Sequence, residues 1–356
     1  MPIRVLMRFS LSDALIMKFS NNYIFYPSNS ELVKAIDHYK ILLGEQGTDI
    51  TPDSSAPIQD NFLHTRGNFE QQHFSTNVLE SAQITFETKL RKLSREQFPL
   101  EWAALQNSLG NILSALGQQR MDVALYESAI AAFNFALEET TQEGSPSEWA
   151  TAQFNLGTAM QALGRQQGDS KLMKASVDAY TEALLVWTRE QNPEEWAITM
   201  FQLGASFYTH GKLLKGNRTF QKSVVAFKNA LAGFDADNHA LALAATHNSR
   251  GAVLQNLAES EENAERLQEA IRAYETALTV CMEQQQPFHL AVLCRVNKST
   301  ARLVLAELTQ DAALAEDVAD DFEVIIECFP HALQPLCLKH CENQMNKARE
   351  MSESVA

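Results

Sequence analysis

Cys328, His331, Cys337, His340 and Cys341 stand together in the phrase CFPHALQPLCLKHC near the C-terminus. Thiolate and imidazole are zinc's usual ligands, so Cys328, His331, Cys337 and Cys341 make a weak candidate metal set. Their spacing fits no zinc module. Cys337, Cys341, Met345 and Ala348 also share one apolar stripe of a helix, where cysteine packs as a small hydrophobe. The reading is of no metal and no cofactor. Catalysis has less behind it. The chain has no G-x-S-x-G, no H-E-x-x-H and no P-loop, and His210, His239, His247 and His289 fall at scattered positions without a paired nucleophile. It reads as a non-enzyme.

Side chains suited to holding another protein are better supplied. Asn107, Asn111, Thr158, Gln161, Asn248 and Gln255 form an amide-rich polar stripe, and Phe154, Ile198, Phe201 and Tyr208 lie at its centre. On a helical hairpin standing alone this stripe is the wet side, so large apolar groups ringed by amides predict an anchor pocket in a partner-binding groove. Arg295 and Arg302, about two turns apart, extend it and read either as solvated surface arginines or as a grip for a carboxylate. Lys212, Lys215, Arg218, Lys222 and Lys228 make a basic edge. From Leu303 to Leu338 there is no Lys or Arg, while Glu307, Asp311, Glu316, Asp317, Asp320, Asp321, Glu323 and Glu327 accumulate. Such runs are read as solvated faces that can steer a charged partner.

What must position these residues is a repeat. Trp102, Trp149 and Trp196 are 47 residues apart, and Gly110, Gly157, Gly204 and Gly251 keep the same step. Pro52, Pro99, Pro146 and Pro193 keep it too; Ala240 holds the count and Pro287 resumes it. An aromatic recurs at Tyr39, Phe86, Phe133, Tyr180, Phe227 and Tyr274, and a closing leucine at Leu43, Leu90, Leu137, Leu184, Leu231 and Leu278, then Ile325. Seven units on one step are expected, with Asp321 in the seventh where the aromatic should be and Phe322 beside it.

Each unit reads as two helices. Ser145 before Pro146 with Glu148, and Asn192 before Pro193 with Glu195, predict capping boxes at the first helix. Trp102, Leu105, Leu109, Leu113 and Leu116 fall within an arc of about 80° at roughly 100° per residue. Ala129, Phe133 and Ala136 give the second helix a small-large-small stripe. A glycine inside a helix costs about 1 kcal/mol against alanine, so its recurrence predicts a close helix contact. A lone hairpin of this kind cannot bury its apolar side, and stacking on the next copy buries it.

Leu109, Gly110, Ala129, Phe133, Ala136 and Pro146 resemble the repeat of tetratricopeptide-repeat proteins, over residues from about 30 to 330. The usual unit of that family is 34 residues; here it is 47, similar to long-unit bacterial arrays. The resemblance implies an all-α, right-handed superhelical solenoid of about seven antiparallel helix pairs. The first helices would line a concave groove that binds protein or peptide. The Lys/Asn clamp that some members use on C-terminal carboxylates is not matched, because Asn107 and Asn111 lack their lysine. The expected organisation is an N-terminal segment with a first helix (1–29), the repeats (30–330), and a capping helix and tail (331–356).

Bulk properties narrow the class. Net charge is −15, from 29 basic and 44 acidic side chains, a field that repels phosphate backbones and argues against nucleic acid. No stretch suits a membrane span, the N-terminus makes a poor signal peptide, and five clustered cysteines do not suit a secreted disulfide framework. A cytoplasmic protein- or peptide-binding scaffold is the expectation. The alternative is a regulator of a partner enzyme that senses a peptide or small ligand.

Overall fold

A computed structural model describes residues 28–42, 74–235, 237–284, 288–329 and 335–355. The helix expected near residues 12–19, the YIFYP stretch, Leu43, Pro52 and His331 lie outside them. Among the described residues the chain is all helical: α1 (Ser28–Leu42), α2 (Thr76–Lys92), α3 (Pro99–Arg120), α4 (Val123–Glu139), α5 (Pro146–Gln167), α6 (Ser170–Ala183), α7 (Pro193–Leu214), α8 (Asn217–Gly233), α9 (Ala240–Glu261), α10 (Ala264–Glu283), α11 (Phe288–Thr309), α12 (Ala312–Cys328) and α13 (Pro335–Val355). None is long and apolar enough to cross a membrane. The helices fall into two compact units, an N-terminal one holding α1–α8 and a C-terminal one holding α9–α13.

Helices pack most extensively in the pairs α3 with α4, α5 with α6, α7 with α8, and α10 with α9. In each pair the leading helix has 22 residues and turns sharply into the second. The turn is made by one left-handed residue, Met121, Gly168, Lys215 or Glu262, with φ between 50° and 65°. Only glycine adopts that conformation without strain. The second helices α4, α6, α10 and α12 are then capped by the side chain just before them: Asp122 accepts from the Ala124 amide, Asp169 from Lys171, Asn263 from Arg266 and Asp311 from Leu314, while α8 follows Gly216 without a side-chain cap. The capping boxes expected at the leading helices are absent. Neither Ser145 nor Asn192 makes a side-chain cap, and Ser145 Oγ instead accepts from the Thr141 amide, closing the preceding turn. Proline at the first turn and Glu148, Glu194 and Glu195 beside it remain to favour those starts.

The recurrent glycine has a steric reason. A Cβ on Gly110 would lie 2.5 Å from the Phe133 ring, on Gly157 2.9 Å from Tyr180, on Gly204 2.8 Å from Phe227 and on Gly251 2.7 Å from Tyr274. Each aromatic of a second helix is thus pressed flat onto the backbone of its leading helix, and these four rings are at most 1% exposed. The Trp-Ala pair closes the other end of the hairpin. Ala103, Ala150 and Ala197 point into the core, while Trp196 covers Gly233 at the end of α8, 3.1 Å from where its Cβ would be. Arg95 sits 4.5 Å above Trp102 and Arg189 5.7 Å above Trp196, so a cation clips each indole to the preceding turn.

The step of 47 does not survive to the last pair. The left-handed turns run 121, 168, 215, 262 and then 310, a final interval of 48. Phe322, 48 residues after Tyr274, is fully buried, whereas Asp321 pairs with Arg302. Asn155 donates to Asn107, 48 residues back, and Asn297 donates to Asn248, 49 back. The extra residue therefore enters before Asn297. Ser299 then takes the glycine's place, 1% exposed, and its hydroxyl donates to Asp321 at 3.4 Å.

Candidate functional site

The twelve residues expected to line a groove are all on leading helices, but most are not on a wet surface. Phe154 is 3% exposed, with its ring 5.6 Å from both Tyr180 and Trp187 of its own hairpin. Phe201 is 3% exposed against Phe227, and Tyr208 6% exposed against Phe220. These three are core residues, which corrects the expected anchor pocket. The reason is geometric. At roughly 100° per residue, Phe154 and Phe201 lie about 60° from the glycine that meets the second helix. The second helix covers that flank, and for Phe154 the next leading helix adds Leu203 to the same cluster. Ile198 is half-buried and packs on the same cluster.

The amides pair with one another across the seam between leading helices. Asn155 Nδ2 donates to Asn107 Oδ1 at 3.0 Å, joining α5 to α3. Gln161 Nε2 donates to the Gln202 carbonyl at 3.1 Å and to Ser206 Oγ at 2.8 Å, joining α5 to α7. Asn297 Nδ2 donates to Asn248 Oδ1 at 2.9 Å, joining α11 to α9. Thr158 donates to the Phe154 carbonyl and shares a hydrogen bond with the Tyr180 hydroxyl; Gln255 accepts from the Tyr274 hydroxyl and donates to Glu259. Thr158, Gln161, Asn248 and Gln255 are buried. A buried polar group needs such a partner, and here, Gln161 Oε1 excepted, the partner is the protein itself. Asn111 alone of the amides stays half-buried with no recorded bond. Arg302 is held by Asp321 and Asp317, and Arg295 lies 5.9 Å from the Phe329 ring. Neither is set beside the other as a carboxylate grip.

The outer charges behave differently at the two places noted in the sequence. The acidic run is partly neutralised inside its own unit, where Lys347 of α13 pairs with Glu307 and Arg349 with Glu323 at 3.0 Å. On the basic edge, Lys222 lies 5.4 Å from the Phe207 ring, and Lys215, Arg218 and Lys228 make no ion pair among the described residues.

Cys328 is exposed while Cys337 and Cys341 are buried on α13. No group of three His, Cys, Asp or Glu side chains that could hold a metal ion occurs among the described residues. The hydrogen bond between Cys341 and Cys337, together with burial, pushes the Cys341 thiol well above its ordinary range; burial and Cys281 do the same to Cys294. A raised pKa leaves little thiolate, the nucleophilic form. His340, 4% exposed with Nε2 3.3 Å from the Thr300 hydroxyl, is lowered to about 4 by desolvation. His247 is lowered to about 4 by desolvation and by Arg250 beside it.

One element went unread as part of the site. The aromatic step predicts α1, through Tyr39, as the second helix of a first hairpin. Among the described residues α1 packs chiefly on the leading helix α3, less on α2, and reaches the next leading helix α5. Ala35, Ile36 and Tyr39 are buried in one cluster with Leu105, Leu109, Ile112 and Leu156, and Leu32 and Leu42 flank them. His38 Nδ1 lies 2.9 Å from Ser108 Oγ, and its ring meets Phe86 edge-on at 5.4 Å. Burial lowers the pKa of His38, against an opposing pull from Glu101. Ser108 is about 200° around the helix from Gly110 at roughly 100° per residue, so α1 and α4 lie on opposite sides of α3. The apolar stripe of α1 was visible in the sequence; the surface it covers was not. Compared with models of known families the chain matches none, and compared with curated proteins it again matches none.

Proposed function

We propose that this chain is a protein- or peptide-binding scaffold built as a long-unit tetratricopeptide-type array, a right-handed superhelix of about seven helix pairs, working through the side of its leading helices that faces away from the second helices. One observation carries the reading. That side of α3 and α5 already accepts a helix, α1, whose Ala35, Ile36 and Tyr39 are buried in one cluster with Leu105, Ile112 and Leu156. The repeat of sockets and turns supports the family resemblance, and the buried, protonated thiols favour no chemistry of their own. The binding surface is not the ring of Phe154, Phe201 and Tyr208, which belong to the core.

The test is cross-linking mass spectrometry on the full chain with co-purifying protein. Links concentrated on α3, α5 and α7 at positions such as Ala104, Asn111 and Thr151, and lost in an Asn111→Glu/Thr151→Glu variant of unchanged helical content, are expected. Links confined to the outer faces of second helices, around Val225 or Leu185, would overturn the assignment of the face.

A further inference from the structure

We infer that the surface of α3 and α5 beneath α1 is a helix-docking site with α1 as its resident, and that the partner it takes is a near-neutral amphipathic helix with the apolar spacing of Leu32, Ala35, Ile36 and Tyr39. This deepens the scaffold reading and rests on it. The spacing is i, i+3, i+4 and i+7, which puts all four side chains on one stripe. Ala35, Ile36 and Tyr39 are buried on the scaffold, while Lys34, Asp37 and Ile41 on the other side are exposed.

The contrast with α4 shows why α1 is the exchangeable element. α4 drives Phe133 onto the bare backbone of Gly110 and Tyr126 against Gly117. Arg95, in the turn before α3, also pairs with Glu138 and Glu139 of α4. Among the described residues α1 has no such socket. Its ion pairs, Lys34 with Glu31 and Lys40 with Asp37, stay within the helix. Among the described residues its side-chain hydrogen bond to the scaffold is the one between His38 and Ser108. A helix of 15 residues is marginal in water by itself, so α1 is helical because it is docked, and a competing helix replaces like with like. Covalent linkage gives α1 an effective concentration that a free peptide must overcome.

A labelled synthetic peptide of residues 28–42 and the full-length chain test this directly. An Ile36→Asp/Tyr39→Asp variant, with its own α1 undocked, should bind the peptide at least tenfold more tightly than the wild type. Amide exchange in 28–42 should become fast while α3–α8 stay protected. Tyr39→Ala, which only trims the contact, should fall between the two and serves if the double variant does not fold. A peptide carrying the same two aspartates should not bind. Equal binding by wild type and variant, no binding by a variant whose α3–α8 remain protected, or binding of the aspartate peptide would overturn the proposal. Peptide binding by the opened variant, with no protein cross-linked to this face, would retain the docking site and remove the scaffold reading.

Discussion

The N-terminal and C-terminal units build the same hairpin with different tolerances. In α3–α8 an aromatic ring lies on glycine three times in succession, at a constant step. In α9–α13 the arrangement occurs once, at Gly251 and Tyr274, and then Ser299 stands in the socket position and the ring arrives one residue late, as Phe322. The C-terminal unit also holds the buried thiols and two imidazoles pushed to about 4. The contrast teaches that the repeat is a steric fit before it is a pattern of letters. A helix pair keeps its geometry through an inserted residue if the insertion falls ahead of the packed region and the ring still finds its place.

The sharpest break of this comparison is at the shifted ring. Phe322→Ala should cost about 4 kcal/mol, as for other fully buried phenylalanines, and Asp321→Ala, which removes a partly exposed ion pair, less than about 1 kcal/mol. Urea unfolding of the two variants measures both, and the reverse order would restore the 47-residue step. Next is the socket. Gly157→Val must displace Tyr180 and should cost about 3 kcal/mol, whereas Ser299→Ala in the C-terminal unit should cost about 1 kcal/mol for a lost hydrogen bond.

The third prediction concerns pH. His247 and His340 are neutral when folded, with pKa values held near 4, below the unfolded value of about 6.5. Their contribution is therefore present above about pH 6.5 and drains as pH falls toward 4, because the unfolded chain takes up the proton first. Roughly 2 kcal/mol for each should be lost from the C-terminal unit by pH 4.5. Exchange measured region by region should show α9–α13 opening before α3–α8, and His340→Gln should flatten the dependence. The smallest effect is at the turns. Lys215→Gly should stabilise by about 1 kcal/mol by relieving left-handed strain, and Gly168→Ala should lose about as much, both read as shifts in thermal midpoint.

Much of the architecture was legible because a repeat writes the same constraint many times. The helical class, the two-helix unit, the close approach at Gly110, Gly157, Gly204 and Gly251, and the packing stripe around Phe133 all follow from spacing. The site was far less legible. Phe154, Phe201 and Tyr208 look like surface anchors on one hairpin because the sequence of a hairpin does not state how much of its flank the neighbours cover. The amide stripe misled for the same reason: Asn107 and Gln161 have their partners in the next leading helix, about a full repeat away. Ser145 and Asn192 satisfied a capping rule in type and spacing, yet the preceding turn took the Ser145 hydroxyl.

Local chemistry, repeated, was enough to determine that this chain forms helix pairs that approach closely at the recurrent glycines. Only the tertiary structure decided which polar groups face one another, where the step lengthens, and that α1 lies across α3 and α5. Short-range rules act within a helix or its turn and can be read from neighbouring residues. The remaining choices depend on contacts between residues about forty or more positions apart, where the stripe on one helix says what it needs to bury but not which surface will bury it.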